Sequence, residues 1–463
     1  MISIARKSGS DWLAGLFLGL YAVLIALVPS VALRLVFCGL LLAVPLLWWL
    51  LRDADRWLVA FFLSAWLLPP LPIAIGNSGP HVALVFAAIG LWIGLLRMSE
   101  WQFRIDLLSA AILSLFAVLC LSLVMAAVNS GAEIAAVSSA RVLLFGISVY
   151  VFFFVRNGPL VNSRGIVRLL FTTAVIAALF ACVDFYYQFP APGGYGAQFV
   201  WLDTGVFRRA QGLFYEASTL GNFCAFFLVM IAVAFFESRE TRVISIVPLL
   251  LGAIVLFGAL VLSYSRGSLI NLAIALAVLF WMRRRQIRLG RLTVWTGIFV
   301  TASAVALIGL FPAFLSAYWL RLWNSAQFFF ESPNGVLSGR IQSWTVLGDF
   351  ILSHPWYAIV GVGYKTLPYS DFIGATAVAD NTYLGMLVET GVAGMAAVII
   401  MNAEVLMTAF RAARTYNPFR AFLGTWIFCF WCGEIVQMFS GDLLTYWRVL
   451  PAYFCVLALA LRE

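Results

Sequence analysis

Residues 243–282 read VISIVPLLLGAIVLFGALVLSYSRGSLINLAIALAVLFWM, and Arg266 is the only charge in the stretch. A helix of roughly 20 apolar residues crosses about 30 Å of hydrocarbon, so this run is long enough for two spans. The break falls at Ser263-Tyr264-Ser265-Arg266-Gly267, the polar stretch inside it. A transmembrane β-barrel would alternate apolar and polar residues in segments of about ten, and that pattern is absent here.

Comparable runs recur along the whole chain. They predict about fourteen spans, with a range of 12–14: 12–29, 31–51, 57–75, 81–97, 107–128, 139–155, 166–189, 217–236, 243–263, 267–282, 292–311, 381–409, 421–440 and 443–461. The composition agrees, with 63% hydrophobic and 11% charged residues among 463, against about half and a quarter in soluble domains. The expected fold is all-α, a polytopic transmembrane helical bundle with a large, partly helical outer loop. The expected divisions are 1–311 (an N-terminal bundle including an outer loop near 190–216), 312–380 (the large outer loop) and 381–463 (C-terminal spans). The first apolar run has no convincing small-residue cleavage site and reads as a retained span.

The formal charge is +9, but the cations sit between apolar runs, without a basic stripe or interleaved base-stacking aromatics, which argues against nucleic acid as a partner. Placing Arg6 and Lys7 in the cytoplasm puts 20 of the 29 cations on that side, as the positive-inside rule requires, with both termini inside. Nine fall on the outer side: Arg34, Arg141, Arg208, Arg209, Arg266, Arg321, Arg340, Lys365 and Arg448. Topogenesis does not explain them. Arg34 and Arg141 sit at span ends and can snorkel, and Arg448 is expected to pair with Asp442.

Two outer segments are long. One carries Pro190-Ala191-Pro192-Gly193-Gly194 and then Arg208-Arg209-Ala210-Gln211-Gly212. The other reads as an aromatic interfacial helix at 318–330 and a helix over 336–353, where Leu337, Ile341, Trp344, Leu347 and Ile351 recur at helical spacing. His354-Pro355 ends that helix, and Gly361-Val362-Gly363 makes a turn. Arg209, Arg266, Arg340, Lys365 and Asp380 can thus converge on one membrane face. Guanidinium groups match phosphate oxygens in fork geometry, and a carboxylate can take the proton of an attacking hydroxyl. Local pairing and lipid-headgroup binding remain the alternative. Asp380 reads equally as a base or as the N-cap of the next span.

Cysteines are confined to apolar runs, and Cys429-Phe-Trp-Cys432 lies within a span without partner ligands, so it reads as helix packing. His81 and His354 are too few for a zinc site. Glu389, Glu404 and Glu434 are acids inside spans, hence functional candidates or interhelical partners.

Five segments together resemble the O-antigen ligase and O-antigen/exopolysaccharide polymerase superfamily of bacterial polytopic membrane glycosyltransferases. They are Arg209-Ala210-Gln211-Gly212-Leu213-Phe214; Ser265-Arg266-Gly267-Ser268; Gly339-Arg340 with Trp344 and His354-Pro355; Gly361-Val362-Gly363; and Asp380-Asn381-Thr382-Tyr383-Leu384 with Glu389-Thr390-Gly391 and Gly394. They cover roughly residues 200–400. The family usually has histidine where this chain has Asp380.

The resemblance implies transfer of a glycan from an undecaprenyl-diphosphate carrier to a hydroxyl of an acceptor glycan, at the periplasmic face of the bacterial inner membrane. It implies Asp380, Arg266 and Arg209 as catalytic residues. Arg208, Arg340, Lys365, Tyr383 and Glu389 would contact the diphosphate or glycan. No metal or other cofactor is implied, and the partners are the two glycan substrates, membrane lipids and other polysaccharide-assembly proteins. A lipid-linked glycan transporter and a non-catalytic assembly scaffold are the competing classes, although no repeat relates the two halves as in many transporters.

Overall fold

The computed structural model describes residues 2–71, 80–159, 161–191, 195–202, 205–238, 240–284, 339–369, 372–373 and 378–462, with scattered positions between 297 and 327. The expected span at 292–311 and the aromatic helix at 318–330 lie largely outside the described residues. Among those described, the fold is all-α, with 15 α-helices and one two-stranded hairpin. Seven of the helices are long and apolar enough to cross a membrane.

Two compact units divide the chain at residue 57. The first holds α1 (Ile2–Leu27) and α2 (Val31–Arg52), tied by the Tyr21 hydroxyl donating to the Phe37 carbonyl at 2.9 Å. In the second come α3 (Arg56–Leu67), α4 (Val82–Leu96), α5 (Leu107–Ser130), α6 (Ala132–Asn157) and α7 (Ser163–Tyr187). The hairpin β1 (Phe199–Leu202) and β2 (Gly205–Arg208) precedes α8 (Ala217–Phe236), α9 (Ile246–Leu262) and α10 (Arg266–Arg283). Then follow α11 (Arg340–Ser353), α12 (Pro355–Val360), α13 (Thr382–Ala413), α14 (Pro418–Gln437) and α15 (Leu450–Leu461). The last expected span is shortened at its start: Leu443–Thr445 forms a single 3₁₀ turn ahead of α15.

Caps fix several boundaries. Asp106 accepts from Ser109 N at 2.9 Å at the start of α5, and Asn417 with Pro418 opens α14. Asn381 caps α13, accepting from Tyr383 N and Leu384 N at 3.0 and 3.1 Å. That corrects the expectation for Asp380, which stands one residue too early to cap. His354 ends α11, and Pro355 opens α12.

The core gathers around α8, whose span is the most buried of the seven. Phe226 packs against Tyr453, Trp426 and Phe430, with ring centroids 4.3, 4.4 and 4.9 Å away. Cys429 and Cys432 are free thiols on α14, and Cys429 is buried beside Met282.

Helix α13 is not continuous. Gly391 has φ 75° and ψ −173°, which interrupts the helix inside the span. Two carbonyls before the break take donors from elsewhere, Val362 N reaching Val388 O at 3.0 Å and Gly363 N reaching Glu389 O at 2.9 Å. A broken membrane helix persists where such replacements exist. Both contacts demand bare backbone: a Cβ on Gly391 would stand 2.1 Å from Ile359 O, and one on Gly361 2.4 Å from Glu389 O. The Gly361–Gly363 turn therefore wedges against the break. Beneath it Leu347, Val362, Leu367, Ala379 and Val388 form a small apolar core joining α11 to α13.

The ends of the second unit differ in character. One gathers the α9–α10 turn, the hairpin, the glycine turn and the α14–α15 connection, as shown by Ala210 N donating to Leu262 O and Thr382 N to Met438 O. The other is held by arginines on carbonyls: Arg462 on Val155, Gly158 and Pro159, Arg420 on Ala460, and Arg168 on Val243.

Candidate functional site

The site is built on the break between α9 and α10. Helix α9 stops at Leu262, Tyr264 adopts φ 54°, and α10 begins at Arg266. Serines hold this turn together: Ser263 Oγ donates to Leu260 O at 2.6 Å, Ser265 N donates to Ser263 Oγ at 3.3 Å, and the Ser265 and Ser268 hydroxyls share a 2.8 Å bond. Gly221 of α8 lets the turn pack close, since a Cβ there would lie within 2.9 Å of all three serines. Arg266 thus stands at a helix N-terminus, where the helix dipole adds positive potential.

The hairpin delivers Arg209 to the same place. Strand pairing sets Phe199 opposite Arg208, and Arg209 N then donates to Gln198 O at 2.8 Å. Arg209 Nε donates to Ser263 O at 2.9 Å. Among the described residues no hydrogen bond occupies its two Nη groups. Burial draws the Arg209 guanidinium below its ordinary pKa; Tyr446 and Glu216 oppose this, and the charges of Arg340 and Arg266 reinforce it. The three arginines therefore share one electrostatic field although they lie on separate elements.

Arg340 opens α11 and faces Asp380, with Nε 3.5 Å from Oδ2. The Asp380 side chain is 53% exposed, so its carboxylate meets solvent as well as the arginine. Arg340 Nε and Trp344 Nε1, one turn apart on α11, are shielded and have no hydrogen-bond acceptor among the described residues.

Other candidates are engaged by the protein. Arg208 Nη2 lies 3.3 Å from Asp184 Oδ2, both side chains nearly buried. Lys365, with φ 54°, places its ammonium against Asp442 and 3.7 Å from Glu389. Burial acts to lower the Lys365 pKa, but Asp442 and Glu389 outweigh it and raise it, so the side chain is held as a cation. Tyr383 donates to Ile435 O at 3.2 Å and packs on Phe439. Arg448 does not pair with Asp442, which Lys365 occupies; it donates instead to Leu213 O. Its buried position beside the hairpin explains the difference.

Two residues that sequence reasoning passed over belong to this field. Glu216, at the start of α8, accepts from Thr219 Oγ1 at 2.7 Å, and burial raises its carboxyl pKa, opposed by the Thr219 bond and by Arg209. Tyr446, in the α14–α15 connection, is fully buried within reach of Glu216, Asp442 and Arg340. The signal for Glu216 was available: it stands two residues after the Arg209–Phe214 segment and precedes a span.

Residues 251–399 match the family model described as O-antigen ligase. This stretch includes Arg266, Arg340, Lys365, Asp380, Tyr383 and Glu389, whereas Arg208 and Arg209 precede it. No curated protein matches the chain. With its many apolar helices, the protein is a multi-pass membrane protein that resembles O-antigen ligases over residues 251–399, and glycosyl transfer is the class of activity that this similarity implies.

Proposed function

We propose that this membrane protein transfers a glycan from an undecaprenyl-diphosphate carrier to a hydroxyl of an acceptor glycan, as a polysaccharide polymerase or a ligase. The observation that carries the reading is the shared field of Arg209, Arg266 and Arg340 around the α9–α10 break, with the accessible carboxylate of Asp380 against Arg340.

In this reaction the acceptor hydroxyl attacks the anomeric carbon of the donor. Asp380 takes the hydroxyl proton, the new C–O bond forms, and the bond from anomeric carbon to phosphate oxygen breaks. The electron pair leaves with the lipid diphosphate. A diphosphate leaves readily, so catalysis rests on positioning and on neutralising the charge that develops. Arg209 Nη groups and Arg266 hold the diphosphate, and Arg340 both orients Asp380 and borders the donor. Lys365 and Glu389 act on substrate only through the loop they fix. No metal ion enters this scheme.

The face is assigned from charge. Arg156, Arg164, Arg242, Arg283, Arg414 and Arg420 lie at the end of the second unit opposite the site. By the positive-inside rule that end is cytoplasmic, so the site faces the periplasm of a bacterial inner membrane and the C-terminus is cytoplasmic; Arg6 and Lys7 assign the N-terminus to the cytoplasm by the same rule.

The test is purified protein in vesicles with a lipid-linked glycan donor and a glycan acceptor. Transfer or chain extension by the native protein, abolished in Arg266→Ala at unchanged expression, is the expected result. Donor translocation without transfer would assign the protein to the transporter class instead.

A further inference from the structure

A chain of buried hydrogen bonds runs from the interior of the span bundle to the arginines. Glu434 of α14 accepts through Oε2 from the side-chain amides of Asn222 on α8 and Asn271 on α10, the latter at 2.7 Å. Gln437, nearly one turn on, accepts from the same two amides at 3.1 Å each. Tyr453 of α15 donates to the Asn222 carbonyl oxygen. From this cluster Gln437 Nε2 donates to Ser268 Oγ at 3.3 Å, and Ser268 bonds Ser265. Ser265 N donates to Ser263 Oγ, and Ser263 O receives Arg209 Nε. Arg266 lies between Ser265 and Ser268 in sequence, so the chain brackets it.

Every residue of this chain from Glu434 to Ser263 is at most 6% exposed. Gly433 is what brings α14 so near α10: a Cβ there would meet the Asn271 carbonyl at 2.4 Å. No ion pair engages Glu434 among the described residues; the hydrogen bonds it accepts come from two side-chain amides. Buried polar groups in lipid need such partners, and a network of this kind ties the helices around it into one arrangement; Asn271 Oδ1 is its one buried atom with no hydrogen-bond partner among the described residues.

The geometry points to Glu434 as a positioning residue: with Gln437 and Ser268 it sets the α9–α10 break in the register that aims Arg209 and Arg266 at the donor diphosphate. This deepens the proposed function and rests on its assignment of those two arginines. Glu434 does not touch substrate. Its role is to accept two amide hydrogen bonds, which a glutamine side chain can also do through its carbonyl oxygen.

The experiment measures initial rates with purified variants in vesicles, against lipid-linked donor and acceptor separately, alongside thermal melting. Ser268→Ala cuts the chain at its middle with little change of volume, and Glu434→Leu removes its source. Both should raise the KM for donor about tenfold or more, the effect of a misplaced binding group, with the KM for acceptor unchanged. Glu434→Gln should restore the donor KM to near the native value. Trp426→Phe, which loses the 2.7 Å bond from Trp426 Nε1 to Phe226 O between α14 and α8, should lower the melting temperature and leave the donor KM alone. A native donor KM in Ser268→Ala would overturn the inference, as would Glu434→Gln behaving like Glu434→Leu. Arg266→Ala run in parallel separates the two levels: if it stays fully active, the reading of the arginines fails, whereas an inactive Arg266→Ala beside a native Ser268→Ala removes the positioning role alone.

Discussion

Arg340 and Asp380 approach to 3.5 Å, the first opening α11 and the second standing just before the asparagine that caps α13. Asn381 performs the capping, which leaves the Asp380 carboxylate to Arg340 and solvent. Asp380→Asn should cut kcat about 100-fold or more, the usual contribution of a positioned base, without loss of melting temperature. Asp380→His installs a neutral base. It should retain substantial turnover, with an acid limb in the pH–rate profile near the ordinary imidazole pKa of about 6.5.

Arg209 is anchored by Nε and free to offer Nη, a division of labour that only a guanidinium supports. Arg209→Lys keeps the charge but has neither the fork nor the bond to Ser263 O. Both Arg209→Lys and Arg209→Ala should therefore lower kcat/KM by about 100-fold, on the scale of losing one preorganised donor, with the lysine variant recovering little. A lysine variant close to native would show that charge alone suffices.

Lys365 neutralises part of a buried pair of carboxylates. Lys365→Met leaves Asp442 and Glu389 facing one another without their cation, and stability should fall by about 3–5 kcal/mol, as for other broken buried pairs. Combining it with Glu389→Gln and Asp442→Asn should recover much of the loss in a melting assay, because no uncompensated charge remains.

Gly391 admits no side chain. Its φ of 75° is strained for any other residue, and a Cβ would meet Ile359 O at 2.1 Å. Gly391→Ala should destabilise the protein by about 1–3 kcal/mol, within the range for strain and overpacking. It should also loosen the 361–363 turn, read as faster hydrogen exchange at Val362 N and Gly363 N.

At the opposite end, Asp106 makes two bonds to Arg156, at 2.8 and 2.9 Å. Burial acts to raise its pKa, but Arg156 and the Ser109 bonds prevail and hold it at about 2. A depressed carboxyl pKa stabilises the fold above the unfolded value of about 3.9 and loses that contribution as pH falls towards 2. Asp106→Asn should therefore lower the melting temperature at pH 7, and the gap to the native protein should narrow below about pH 4.

Much of this was legible in the chain. Apolar run length gave the helices, and the polar interruption at Ser263–Gly267 gave the α9–α10 break. Gly361 and Gly363 were readable as a turn because glycine alone tolerates their φ values. What escaped were pairings between distant elements. Nothing local separates Arg208, spent on Asp184, from Arg209 beside it; their difference arises from which face of the hairpin meets α7. Lys365 and Glu389 were read as substrate contacts from the resemblance; that Lys365 pairs with both Glu389 and Asp442 joins residues far apart in the chain and has no local signal. The family match adds support from residue 251 onward and leaves Arg209 to rest on geometry.

The interruption of α13 also bears on how the chain is made. Its stand-in donors, Val362 and Gly363, leave the ribosome before the carbonyls of Val388 and Glu389 that they serve. When α13 enters the bilayer, the turn that seals its gap has already been synthesised. The reverse order would leave two carbonyls bare in lipid while the partner was still being translated, at a cost of several kcal/mol each. Moving the turn C-terminal to α13 by circular permutation would therefore be expected to impair insertion even if the finished fold were equally stable.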